Sequence, residues 1–193
     1  FSKRFEIDVI HKNKHYKQIF EDNMTIINDP IIEDSNEKDS VLIRFYPDVA
    51  RFDIDCINED TLAMIHKRTY DSMLFNVNLT FNNKKIPQLS FKDYCYEHIK
   101  AKNIKIDPKT MIYYETPKLR ICYVASNKSF TKSFVNHIET IDDGNHVSNF
   151  YNQLDSILKT KIKDKKIDVS SKKNSILFID EVVNKPTFSG QSK

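Results

Sequence analysis

The sequence predicts an α+β fold, a mixed and largely antiparallel sheet with helices on one face. Three observations lead there. Runs of alternating apolar and polar residues recur along the chain, three stretches repeat apolar residues at helical spacing, and neighbouring runs are separated by turn residues alone, as antiparallel strands require.

Residues 1–9 (FSKRFEIDV) alternate like a strand, and Tyr16, Gln18 and Phe20 mark a second one before the Asp22-Asn23 turn signal. Residues 28–40 are polar, acidic and rich in turn formers, so a surface loop is expected. Residues 40–46 (SVLIRFY) read as a buried-type strand stopped by Pro47, which has no ladder donor. Asn58 then caps a helix carrying Leu62, Ile65, Thr69 and Met73 on one face, to about residue 74. Val77, Leu79 and Phe81 face one side of a strand. Asn82-Asn83 can take the positive φ of a tight hairpin, with a return strand through Ile86.

Ser90 starts a second helix, with Phe91, Tyr94, Cys95 and Ile99 at helical spacing, ending near Lys102. Alternating runs over 110–115, 118–126 and 130–140 have the spacing of an antiparallel meander. From Gly144 onward Val147, Phe150, Leu154, Ile157 and Leu158 follow a 3.6-residue period and make the longest helix. It runs into a lysine-dense segment and then a strand over 175–183 (SILFIDEVV). No repeat and no linker divides the chain, so residues 1–193 are expected to form one domain. A chain of 193 residues buries about 70% of its unfolded surface.

Composition narrows the chemistry. Glycine occurs only at Gly144 and Gly190, which excludes the glycine-rich loops that wrap a nucleotide phosphate. The net charge of +3 is a mild bias toward polyanions. The three cysteines, Cys56, Cys95 and Cys122, have neither disulfide nor zinc spacing, and a reducing compartment is expected. No run reaches the length of a transmembrane helix and the start does not read as a signal peptide, so no membrane partner is expected. The first residue is Phe, and the polar residues after the last strand read as the end of an excised domain.

Among the side chains, His11, His15, His66, His98, His137 and His146 show no metal-ligand spacing, and no metal site is expected. A serine-nucleophile elbow is absent. Cys122 reads as a small core residue. Asp142 and Asp143 read as a turn with helix capping, and His146 as a hydrogen-bonded residue tying that turn to the sheet. Lys159, Lys161, Lys163, Lys165, Lys166, Lys172 and Lys173 face only Asp164 and Asp168. Such a patch suits a phosphate backbone, or equally a solvated helix end, since no aromatic residue interleaves to stack on bases. Lys193, with Gln191 beside it, stands on a polar loop from which a lysine could reach a terminal phosphate as a point charge. On residues alone, a surface lysine is the simpler reading.

Several stretches, taken in order, resemble the transducer domain of eukaryotic-type DNA topoisomerase II, the second half of its ATPase region. They are FSKRF at 1–5, YKQIFEDNM at 16–24, FYPDVARF at 45–52, KRTYD at 67–71, FNNKKIP at 81–87, SFVNHIETIDDGNHV at 133–147 and ILFIDEVVNKPTFSGQSK at 176–193. The resemblance implies a transducer fold with a left-handed βαβ crossover. It also implies an upstream nucleotide-binding domain of the gyrase, chaperone and histidine-kinase type, which binds most of the ATP and its magnesium, and a cleavage core downstream. Gln191 and Lys193 match the glutamine and lysine of the family's Q-T-K loop, which contacts the ATP γ-phosphate, with Ser192 keeping the hydroxyl between them. By the same resemblance Lys193 would be the one catalytic residue of this chain. Lys159, Lys161, Lys163, Lys165 and Lys166 fall where the family carries a DNA-sensing lysine-rich loop.

The function implied is that of one part of an ATP-dependent type II DNA topoisomerase, inactive as an isolated fragment. It would act on double-stranded DNA within a homodimer, in the nucleus or, for a large DNA virus, in a viral factory or virion. The alternative is a non-enzymatic nucleic-acid-binding module using the 159–173 lysines.

Overall fold

The computed structural model describes residues 1–162 and 170–186. They fall into two compact units, one spanning Phe1–Ile65 and the other beginning at His66. The division lies inside the helix α1 (Glu59–Asp71). The backbone passes through it as continuous helix, with no linker between the units.

The first unit is an antiparallel sheet. β1 (Ser2–His11) and β2 (Lys14–Glu21) form a hairpin whose turn residues, Lys12 and Asn13, both have positive φ. β5 (Ser40–Pro47) pairs with the other edge of β1. β3 (Ile26–Ile27) and β4 (Ile31–Asp34) pair with β2. The expected surface loop at 28–40 therefore contains a strand. Edge pairing uses backbone groups alone, so polar composition did not forbid it, and Lys14 donates to Asp34 at 2.7 Å across the pair. β5 is no buried strand: Val41, Ile43 and Phe45 are 68%, 57% and 51% exposed. As an edge strand it has a sheet neighbour on one side only.

Register sorts the two faces of this sheet. Phe5 stands opposite Phe20 and Phe45, Ile7 opposite Gln18 and Ile43, and Val9 opposite Tyr16 and Val41, which makes one face largely apolar. The other carries charge, with Arg4 bonded to Glu6 and Glu21 at 2.6 and 3.0 Å and Arg44 to Glu6 at 3.1 Å.

From α1 onward the caps and tight turns fall where the spacing predicts, while the strand expected from Val77 is confined to Thr80–Phe81. Asn58 Oδ1 accepts from Thr61 N at 2.9 Å at the start of α1, and Ser90 Oγ accepts from Asp93 N at 3.1 Å at the start of α2 (Phe91–Ala101). Asn82 and Asn83, at φ 47° and 61°, close the hairpin of β6 (Thr80–Phe81) and β7 (Lys84–Lys85). α3 (Asn145–Lys161) is the longest helix of the described residues.

The main sheet of the second unit comprises β8 (Ile112–Thr116), β9 (Leu119–Ala125), β10 (Phe130–Val135), β11 (Ile138–Glu139) and β12 (Ser175–Glu181), in the order β11-β10-β12-β9-β8. The expected meander holds for β8 and β9 only. β12 lies between β9 and β10, antiparallel to the first and parallel to the second, so β10, α3 and β12 form a βαβ unit. A nearly unbroken apolar strand is best buried when it has neighbours on both edges and cover on both faces.

That cover is supplied from both sides, so the α+β class holds while the helices are not confined to one face. Ile176 and Phe178 pack with Phe91, Tyr94, Cys95 and Ile99 of α2. The alternate residues Leu177 and Ile179 pack with Val147 and Tyr151 of α3. Cys122 is fully buried in the first cluster, as expected of a small core residue.

Candidate functional site

The site grows out of the end of β12, the last described strand before Gln191 and Lys193 in the sequence. Asp180, near its end, is 1% exposed. A carboxylate there needs strong partners, because an unpaired buried charge is heavily penalised. Arg120 Nε, from β9, donates to Asp180 Oδ2 at 3.0 Å, and the guanidinium makes a second contact through Nη2. His137, in the β10–β11 turn, donates its backbone N–H to Asp180 Oδ1 at 3.1 Å, with ring Nδ1 2.6 Å from Oδ2. The same ring nitrogen lies 2.7 Å from Arg120 Nη2, so it stands between a guanidinium donor and a carboxyl oxygen. Arg120 also reaches the Leu74 carbonyl at 3.3 Å and lies over the Phe91 ring, 4.9 Å from its centroid. A cavity of about 220 Å³ opens beside this triad, with Phe75, Asn76 and Glu115 in its wall.

A second charged cluster joins α1, α2 and the β10–β11 hairpin. Asp71 accepts from Tyr94 Oη at 2.6 Å, and Lys67 and Lys132 lie 2.7 and 3.4 Å from its other oxygen. Lys132 and Arg68 also pair with Glu139 at 3.1 and 3.0 Å. Burial alone would raise the Asp71 pKa, but His98, 3.6 Å away, together with Lys67, Tyr94 and Lys132, outweighs it and holds the carboxyl well below the usual carboxylate range. Glu139 is lowered too, its burial outweighed by Lys67 and Lys132.

A folded pKa below the unfolded one contributes stability above the unfolded value, near pH 4, and loses it as the pH falls toward the folded value. Asp71→Asn is therefore expected to lower stability at pH 7 by about 1.5–3 kcal/mol, the range for hydrogen bonds to a charged group. The gap to the parent should close progressively below pH 4. Urea unfolding from pH 7 to pH 2.5 checks this, and a gap that stays constant down to the lowest pH counts against the assignment.

At the start of α3, Asp143 has φ 59° and receives Lys172 at 2.9 Å. It does not cap: Gly144 is the cap residue, and no side chain accepts there. His146 also departs from expectation, since its buried Nε2 has no hydrogen-bond partner among the described residues. Burial pushes its pKa down, against the pull of Glu181 and Asp143. A Cβ at Gly144 would lie 2.8 Å from His146 Nδ1, so the close approach of that ring accounts for the glycine.

Lys159 and Lys161 are exposed in the last turn of α3, where positive charge complements the helix dipole. Lys163, Lys165 and Lys166 lie outside the described residues, as do Gln191 and Lys193. Lys172 and Lys173 line an open cleft of about 630 Å³ with Phe130, Thr131 and Ile141. Among the described residues no three His, Cys, Asp or Glu side chains gather as metal ligands. No helix among them is long and apolar enough to cross a membrane. Sequence reasoning missed the Arg120–His137–Asp180 triad. The available signal was Asp180 itself, an acid inside an otherwise apolar strand.

Comparison with known proteins adds a family. The DNA gyrase B family profile matches residues 79–193. The chain is 30% identical over 219 residues to DNA topoisomerase 2 of Candida albicans, matching 100% of this chain and 15% of that protein. It is 32% identical over 206 residues to DNA topoisomerase 2 of Acanthamoeba polyphaga mimivirus, matching 100% of this chain and 16% of that one. Among solved structures, the ATPase region of Saccharomyces cerevisiae topoisomerase II is similar with a TM-score of 0.86 at 27% identity, covering 100% of this chain and 51% of that one. The ATPase and transducer domains of Balamuthia mandrillaris topoisomerase II share the fold, with a TM-score of 0.86 at 21% identity and coverage of 100% and 52%.

Proposed function

Because the chain belongs to the DNA gyrase B family, and corresponds to part of a type II DNA topoisomerase ATPase region, we propose that it couples ATP binding and hydrolysis to movement of DNA. The observation that carries this reading is that β12, the central buried strand of the second sheet, is the last described strand before Gln191, Ser192 and Lys193 in the sequence. A lysine and an amide suit the end of a triphosphate: one supplies a point charge, the other a hydrogen bond. The γ-phosphate exists only before hydrolysis, so ATP and ADP differ in affinity for the conformation in which this loop is engaged. That difference is what a ligand needs to bias a two-state element. Magnesium and the rest of the nucleotide would be held mainly upstream, since this chain has no glycine-rich phosphate loop.

The first unit supports an upstream neighbour independently. Its apolar sheet face, with Val41, Ile43 and Phe45 each more than half exposed, is the kind of contiguous patch that marks an interaction surface. We assign it to packing against the nucleotide-binding segment. Lys159, Lys161, Lys163, Lys165 and Lys166 are assigned to backbone contacts with double-stranded DNA, and the full enzyme to a homodimer. Relatives of both eukaryotic and viral origin fit a nuclear or a viral location. The alternative of a nucleic-acid module that uses no nucleotide has nothing in its favour beyond the lysines.

The test is ATP hydrolysis by a longer protein that includes the upstream segment, with and without duplex DNA. Hydrolysis accelerated by DNA is expected. DNA binding without any hydrolysis would overturn the reading.

A further inference from the structure

We propose that the cavity beside Arg120 and His137 binds a small oxyanion, the carboxylate of a short organic acid or a phosphate group, at a site independent of the reading of Gln191 and Lys193. Its wall draws on segments far apart in sequence. Asn76 follows the helical turn Ser72–Phe75, Lys118 and Arg120 come from the β8–β9 hairpin, and His137 comes from the β10–β11 turn. All of them belong to the second unit. At about 220 Å³ the cavity is smaller than the roughly 300–1,000 Å³ of sites that enclose drug-sized ligands. A ligand of a few heavy atoms fits, and a nucleotide does not.

Unspent hydrogen-bonding capacity decides the class of ligand. Of the two carboxylates in the wall, Asp180 is sealed from solvent and committed on both oxygens, Oδ2 to Arg120 and the His137 ring and Oδ1 to the His137 backbone N–H. Glu115 accepts from Tyr113 Oη. The donors are freer. Arg120 commits Nε and Nη2 to Asp180, the Leu74 carbonyl and His137, while its Nη1 makes no hydrogen bond among the described residues. Among those residues the Lys118 ammonium, the Asn76 side-chain amide and His137 Nε2 are likewise unspent. Phe75, edge to face with His137 at 5.3 Å between centroids, holds that ring in place. The surplus is therefore of donors, two of them on permanent cations, which is the complement of an oxyanion. Asp180 already balances the charge of Arg120, so the fork of donors and Lys118 hold the ligand, and Glu115 opposes it.

Calorimetric titration of the full-length enzyme with inorganic phosphate and with succinate is the test, a non-hydrolysable ATP analogue being held at saturation so that a nucleotide site takes up neither. Saturable binding in the millimolar range is expected. Arg120→Lys keeps the charge that Asp180 requires and removes the planar fork, and should weaken binding by about tenfold or more. Lys118→Gln should weaken it by about two- to fivefold, the range of an exposed charge contact, and Glu115→Gln should tighten it by a similar factor. Thermal unfolding shows whether each variant is folded. Lys118 and Glu115 are both exposed, so their variants carry the test even where Arg120→Lys does not fold. Binding of phosphate alone or of succinate alone identifies the group and upholds the site. Binding of neither, or binding that none of the three substitutions changes, overturns it.

Discussion

Replacing Lys193 with alanine is expected to lower ATP turnover of the full enzyme by about 10²- to 10³-fold, the usual loss when one preorganised electrostatic donor is removed from a reacting centre. The lysine charge would act on the oxygens that gain charge as the terminal phosphoryl group departs, so the loss belongs in kcat more than in KM. Lys193→Arg keeps the charge and changes its shape from a point to a planar fork, and should recover only part of the rate. Single-turnover hydrolysis with the radiolabelled γ-phosphate would separate chemistry from product release. Turnover within twofold of the parent, in a folded protein, would sink the assignment.

The second large effect is on stability. Asp180→Ala is expected to destabilise the chain by about 3–5 kcal/mol, the range for breaking a buried ion pair by removing one partner. The reason lies in what is left behind. The Arg120 side chain is only 16% exposed, wedged between Phe91 and the Leu74 carbonyl, and would keep its charge without a carboxylate. Asp180→Asn retains a shape of the same size and one acceptor, so it should lose less. Denaturant unfolding at neutral pH measures both, and a loss under about 1 kcal/mol for the alanine variant would show that solvent reaches Arg120 more freely than its burial indicates.

Signals that act over a few residues were readable from sequence. Asn58 and Ser90 cap their helices because the side chain and the amide it serves are three residues apart, and Asn82-Asn83 turns because asparagine tolerates positive φ. Pairings between distant segments were not. Nothing in the spacing of 118–126 and 130–140 reveals that another strand separates them, since that strand arrives after a helix. The three members of the buried triad lie on different elements, with Arg120 and Asp180 60 positions apart. Asp180 advertised a need for partners without naming them. The roles of Gln191 and Lys193 came from resemblance to a family, since a lysine on a polar loop carries no chemistry by itself.

The central place of β12 has a consequence for how the chain comes to be folded. β9 and β10 are made first and are joined by a short connection, yet they are not neighbours in the finished sheet. While the ribosome is still producing α3 and β12, on the order of seconds at typical synthesis rates, β9 has only β8, and β10 only β11, of its permanent strand neighbours. The last strand must therefore insert between two strands made before it, a non-local step of the kind that slows folding. Until then Phe134, Val124 and Cys122 lack their permanent cover. A chain ending before residue 175 would lack the β12 side chains that pack against these residues.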